Sequence, residues 1–152
     1  MVHILCFGNS LHGDDGFGIA VCRCLEERMS SQAVRLFEVG LRGIDALTLF
    51  DGCQEAILVD ALDTPGVAPG TLQVLSGDAL PVTAETGHGC GVAWLLQALA
   101  VTHRPPPKVT LIGAVIDRLT PFSTRLSPAL AAQVGAAADI VLSLLPKPVT
   151  DG

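Results

Sequence analysis

Short apolar runs alternate along this chain with stretches in which apolar residues recur every three or four positions. Val2–Phe7 is a continuous apolar run that stops at Gly8-Asn9, which predicts a buried strand. Ser10–Asp15 is a polar loop. Phe17, Val21 and Leu25 then recur at helical spacing, with Glu26, Glu27 and Arg28 outside, so a helix is expected to about Met29. Val34–Glu38 reads as a second strand. Gly43–Phe50, with Ile44, Leu47 and Phe50 on one face, reads as a helix. Glu55–Asp60 holds Ala56-Ile57-Leu58-Val59, the unbroken run of a central parallel strand. Thr71–Leu75 is a short strand between the turn signals Pro65-Gly66 and Pro69-Gly70 and a Ser76–Thr86 loop. Gly91–Val101 is helical, with Trp94, Leu95, Leu96 and Leu99 free to pack, and Pro105-Pro106-Pro107 is a hard stop. Val109–Ile116 is the last strand. Ser127 as N-cap and Pro128 at the first helical place open one helix through Leu130, Val134, Ala137, Val141 and Leu144 to Pro146.

Strands that alternate with helices, and are apolar throughout, imply an α/β fold: three layers, with a mostly parallel twisted sheet of about five strands between helices. An all-α bundle is excluded, because the β-branched runs are too short for helices. No repeat or linker divides the chain, so residues 1–146 are expected to form one domain and 147–152 a tail. A chain of 152 residues is long enough for a real core. Apolar residues are 49% but aromatics only 4%, so that core must be aliphatic.

The net charge of −6, with no Lys/Arg cluster, argues against nucleic acid as a partner. No apolar run reaches the ~18 residues of a membrane span, and the N-terminus lacks a basic region and cleavage site. A cytoplasmic protein that needs no membrane is therefore expected, and a monomer suffices. The five cysteines, Cys6, Cys22, Cys24, Cys53 and Cys90, are odd in number and form no CxxC pair. They read as reduced thiols packed as small hydrophobes.

Ligand sites of open α/β sheets lie outside the carboxyl ends of the strands. Asp15, in the loop after the first strand, Asp60, at the end of the third, and His88, in Gly87-His88-Gly89 before a helix, fall there by position. Two carboxylates and an imidazole suit a divalent transition metal or acid–base hydrolysis. Each has a plainer reading. Asp15 could satisfy the N–H groups of a helix start, Asp60 could cap a turn, and His88 could be an exposed loop histidine. Asp14 reads as a solvated loop acid, His12 as a surface residue near the site, and His3 and His103 as structural or exposed.

Gly8–Gly18 contains neither GxGxxG nor GxxxxGK[ST], and its two acids would repel a phosphate, so a nucleotide loop is rejected. There is no Gly-x-Ser-x-Gly elbow. A Cys90/His88 nucleophile is disfavoured, because neighbours in one loop seldom point at each other.

The block Gly8-Asn9-x-Leu11-x-Gly13-Asp14-Asp15-Gly16-x-Gly18, then Val59-Asp60-Ala61, Pro69-Gly70, Thr86-Gly87-His88, Leu111-Ile112-Gly113 and the helix from Ser127, resembles the hydrogenase maturation proteases. The resemblance spans nearly the whole chain, in the same order. It implies a phosphorylase/hydrolase-like sheet and an aspartic-peptidase-like endopeptidase. That enzyme would remove a short C-terminal peptide from the large-subunit precursor of a nickel–iron hydrogenase. It implies that Asp15, Asp60 and His88 meet the nickel, supplied by the substrate rather than held as a resident cofactor. The stretch Glu38-Val39-Gly40-Leu41-Arg42-Gly43 departs from the family's Asp-Gly-Gly-Thr-like loop, with Val39 and Leu41 replacing smaller or polar residues. The same three residues would also serve a non-catalytic nickel-checking chaperone or a small-molecule metallohydrolase.

Overall fold

The computed structural model describes residues 1–30, 33–41, 44–79, 92–117 and 119–147. The strands are β1 (Val2–Phe7), β2 (Val34–Gly40), β3 (Glu55–Leu62), β4 (Leu72–Ser76) and β5 (Lys108–Val115). The α-helices are α1 (Phe17–Arg28), α2 (Val92–Thr102), α3 (Pro128–Ala131) and α4 (Val134–Leu144). Tighter 3-10 turns occupy Gly13–Gly16, Ile44–Phe50 and Gly77–Ala79. The sheet order is β2-β1-β3-β5-β4, parallel except for β4, which runs antiparallel along β5.

Period-two alternation gives the central strands two apolar faces. Ile4 and Cys6 of β1, Ile57 and Val59 of β3, and Ile112 and Ala114 of β5 pack with Phe17, Val21, Cys22 and Leu25 of α1 and with Leu130, Ala137 and Val141. On the other side, Leu5 and Phe7, Ala56 and Leu58, and Val109 and Leu111 pack with Phe50 and with Leu95 and Leu99 of α2. The register sets Cys6 beside Val59 and Val59 beside Ile112, so each layer runs straight across the sheet. This is the three-layer arrangement expected from the pattern, and the core is aliphatic apart from Phe7, Phe17 and Phe50.

Two expected helices take another form. Residues 44–50 wind as a 3-10 helix. The spacing Ile44, Leu47, Phe50 is three residues at each step, which aligns on a three-per-turn helix rather than a 3.6-per-turn one. The final helix is broken at Ala132 and Gln133. Gln133 has φ −100° and ψ −6°, and its N–H donates to the Leu130 carbonyl at 2.9 Å. One tightened turn leaves the apolar spacing intact, so periodicity alone does not reveal it.

Candidate active site

The chain leaves β1 for β2 on one side and later returns to β3 on the other, so the strand order reverses between β1 and β3. A crevice opens at such a reversal, outside the carboxyl ends of the two strands. Asp15 comes from the segment after β1, and Asp60 lies near the end of β3.

Two glycines allow that segment to close over the strand ends. At Gly8 φ is +128°, and a Cβ would collide with the Asp15 carbonyl oxygen. At Gly18 a Cβ would collide with the Phe7 carbonyl oxygen and stand 2.9 Å from that of Val59. Only glycine lets α1 lie this close to both β1 and β3. Asp15 is held from both ends: its N–H donates to the His12 carbonyl at 3.2 Å, and the Asn9 N–H donates to its Oδ2 at 3.0 Å. It serves the Asn9 N–H of its own loop rather than the N–H groups of the helix start, where no side-chain cap bond forms, and its charge is felt at Asp60.

Asp60 follows Ala56 and Leu58 on the α2 side of β3. The Ala61 N–H donates to its Oδ1 at 2.8 Å. Burial pushes its carboxyl up to about 7, the Ala61 bond opposes this, and the Asp15 charge adds to it. Asp15 and Asp60 therefore share one electrostatic environment, although 45 positions separate them in sequence. An acid poised near neutrality can give or accept a proton, and a cation placed against it would displace that proton. His88 and Cys90 lie outside the described residues, as do Thr86, Gly87 and Gly89. Among the described residues no three histidines, cysteines or acids gather as a metal cluster.

Asp14 is not the solvated acid that its polar loop suggests. It is 1% exposed, and its carboxylate accepts the Ser127 N–H at 2.6 Å, the Ser127 hydroxyl at 2.9 Å and the Asp117 N–H at 2.9 Å. In a three-per-turn helix neighbours point about 120° apart, so Asp14 turns inward while Asp15 is only half-buried. Ser127 holds the N-cap place, but its hydroxyl serves Asp14 and makes no cap bond. The doubled acid in a tight glycine turn is the only signal of this staple in the sequence.

Among the other histidines, His12 contributes backbone, pairing with Ser123 in a short parallel bridge. His3 is buried, and its Nδ1 donates to the Leu49 carbonyl at 2.7 Å. His103 lies 2.8 Å from Asp51. Val39 enters the core beside Phe7, while Leu41 is exposed. Cys6, Cys22, Cys24 and Cys53 are free thiols. Gly70 at the Pro69-Gly70 turn packs under Ala129 of α3. No helix is long and apolar enough to cross a membrane among the described residues.

A family model described as hydrogenase maturation protease matches residues 19–144. The hydrogenase 2 maturation protease of Escherichia coli is 30% identical over 146 residues, covering 93% of this chain and 88% of that protein. Among solved structures, the hydrogenase maturating endopeptidase HybD from E. coli superposes with a TM-score of 0.82 at 26% identity, over 93% of this chain and 90% of that one. The hydrogenase 2 maturation peptidase of a Thaumarchaeota archaeon superposes with a TM-score of 0.69 at 32% identity, over 93% and 95%.

Proposed function

This chain belongs to the hydrogenase maturation protease family and is a peptidase, and we propose that it removes a short C-terminal peptide from the nickel-loaded large-subunit precursor of a nickel–iron hydrogenase. The observation that carries this reading is the buried Asp60 carboxyl at the strand-order reversal, raised by burial and also by the charge of Asp15. A desolvated carboxyl that feels a second negative charge is held in its neutral form, and a divalent cation bound at both acids would relieve that penalty. Carboxylate oxygens, joined by the neutral imidazole of His88, suit Ni²⁺. The ion belongs to the substrate, so these side chains test whether the precursor is loaded.

In this reading Asp15 and Asp60 orient the precursor, and holding the scissile bond in place supplies much of the rate. Asp60 carries its proton near neutral pH and surrenders it as the loaded substrate docks. One carboxylate then stands ready as general base for the attacking water. Likeness to a named hydrogenase maturating endopeptidase, HybD, over nine-tenths of both chains also favours this reading over the small-molecule hydrolase.

The test is mass spectrometry of a purified precursor after incubation with the enzyme. A nickel-loaded large subunit should lose a C-terminal peptide, and nickel-free precursor should stay intact. A loaded precursor that stays full length sinks the cleavage reading. Equal cutting of both forms sinks the nickel test.

A further inference from the structure

Alternation along β5 puts Val109, Leu111, Gly113 and Val115 on one face, and Val109 and Leu111 belong to the α2-side core. Gly113 is the one position of that face without a side chain. Its backbone is not left-handed, so no turn demands glycine there. Glycine inside a strand weakens it and marks a place where another group comes close. Here that group is Leu62. A Cβ on residue 113 would collide with Leu62 Cγ and Cδ1 and stand 3.1 Å from Cδ2, and these three are the nearest atoms to it.

Leu62 is the last residue of β3 and pairs with Val115, whereas Gly113 pairs with Asp60. The Leu62 side chain therefore leans back along β3 and across to β5, into the place that a side chain of residue 113 would take. Asp60 and Leu62 share a face of β3, being two residues apart. Neighbouring strands lie about 4.8 Å apart, so the isobutyl group stands beside Asp60 on that face. The Asp60 carboxyl accepts the Ala61 N–H at 2.8 Å. That donor belongs to the next residue of the same strand, so the bond does not stop the group from swinging toward β5. Leu62 closes that side. It is braced by the α2-side core and stays half-buried at the strand end. A larger residue at 113 would fill the same space, but it would turn Leu62 outward over the end of β3, where the crevice opens.

We propose that Leu62, seated in the space left by Gly113, is a positioning residue that sets where the Asp60 carboxyl stands and, through it, the rate of processing. The effect on rate rests on Asp60 being a working acid of the site. Leu62 touches no reacting atom in this account. It acts as an apolar wall that keeps the acid off β5 and leaves the strand end clear.

The experiment compares Gly113→Ala, Leu62→Ala, Leu62→Met and the double variant Gly113→Ala with Leu62→Ala. KM and kcat are measured with nickel-loaded precursor, and Tm is recorded without it. Gly113→Ala and Leu62→Ala should each lower kcat about ten- to a hundredfold, the cost of a small misplacement, with KM within about twofold. Leu62→Met can bend into the same space and should keep most of the rate. In the double variant the methyl group at 113 stands where Leu62 Cγ stood. Its kcat should return to within about fivefold of wild type, while Tm stays low because volume is still missing. A kcat that follows Tm through all four variants marks a purely structural role and overturns the proposal. Wild-type kcat in Leu62→Ala overturns it as well. If Gly113→Ala does not fold, Leu62→Ala and Leu62→Met decide the matter. Asp60→Asn separates the two readings. If it cuts at the wild-type rate, the site reading fails; if it is inactive while Leu62→Ala is unimpaired, Leu62 alone loses its role. Placement has its own measurement, the carbon-13 shift of the Asp60 carboxyl at one fixed pH. That signal should move in Leu62→Ala and return in Leu62→Met. An unmoved signal overturns the proposal even where the precursor is not cut.

Discussion

Asp14 and Ser127 are joined twice, by the Ser127 N–H to Oδ1 at 2.6 Å and by its hydroxyl to Oδ2 at 2.9 Å, across 113 positions of sequence. A third bond, from the Asp117 N–H at 2.9 Å, completes the staple. It locks the segment next to Asp15 to the start of α3 without using either proposed catalytic acid. Replacing Asp14 by alanine leaves two backbone donors and a hydroxyl without this acceptor. The expected loss is about 3 kcal/mol, since hydrogen bonds to charged groups count for more than neutral ones. Ser127→Ala keeps the backbone bond and should cost about 1 kcal/mol. Urea unfolding of both variants checks this. Losses below about 0.5 kcal/mol, the level of an ordinary surface substitution, would remove the staple from the account.

Gly18 and Gly135 lie in α1 and α4 and should respond to alanine in opposite directions. A Cβ at Gly18 has no room against the Phe7 and Val59 carbonyls, whereas one at Gly135 meets nothing within 4 Å. Gly18→Ala should destabilise by about 2–3 kcal/mol, as overpacking does, and impair processing by shifting α1 from the strand ends. Gly135→Ala should stabilise by about 0.5–1 kcal/mol through lower unfolded-state entropy. Thermal melts of the pair decide it, and equal effects would contradict the packing described for α1.

The carboxyl of Asp60 is pushed from 3.8 up to about 7 by burial, with Asp15 contributing. Below pH 4 both folded and unfolded chains keep this proton, and the group leaves stability unchanged. Between pH 4 and 7 only the unfolded chain releases it, so this contribution to stability falls as pH rises, and above 7 the penalty is complete. Asp60→Asn removes the titration. It should therefore be more stable than wild type at pH 8, by one to a few kcal/mol in order of magnitude, and by much less at pH 4. Denaturant curves at the two pH values test this, and a difference independent of pH counts against a desolvated Asp60.

Processing should report the site directly. Asp15→Asn, Asp60→Asn and His88→Ala are each expected to slow precursor cleavage by about a hundredfold or more, the range for removing a catalytic acid or base. Cys90→Ser should cleave within about twofold of wild type. Wild-type rates in the first three variants would refute the assignment, while an inactive Cys90→Ser would favour a thiol nucleophile. Circular dichroism of each variant separates lost chemistry from lost fold.

Hydrophobic pattern alone determined the strands and the layer architecture. Continuous runs such as Ala56-Ile57-Leu58-Val59 can be buried on two faces only inside a parallel sheet, and the observed β3 bears this out. Position at strand ends also picked out Asp15 and Asp60, because loops after parallel strands gather at one edge. The break at Gln133 escaped the pattern, since one tightened turn barely alters apolar spacing, whereas at residues 44–50 the three-residue steps carry a 3-10 signal that a 3.6-residue template passes over. Tertiary structure alone decided which of two adjacent acids is buried. Asp14 is inside because Asp117 and Ser127, more than a hundred residues away, bring donors to it, and the doubled acid in the glycine turn does not say which of the two they will hold. It likewise decided that His12 pairs with Ser123, since nothing local links residues so far apart. Periodicity reports which side of an element is dry. Which polar groups meet depends on how the elements close on one another, and that closure is written in contacts between distant parts of the chain.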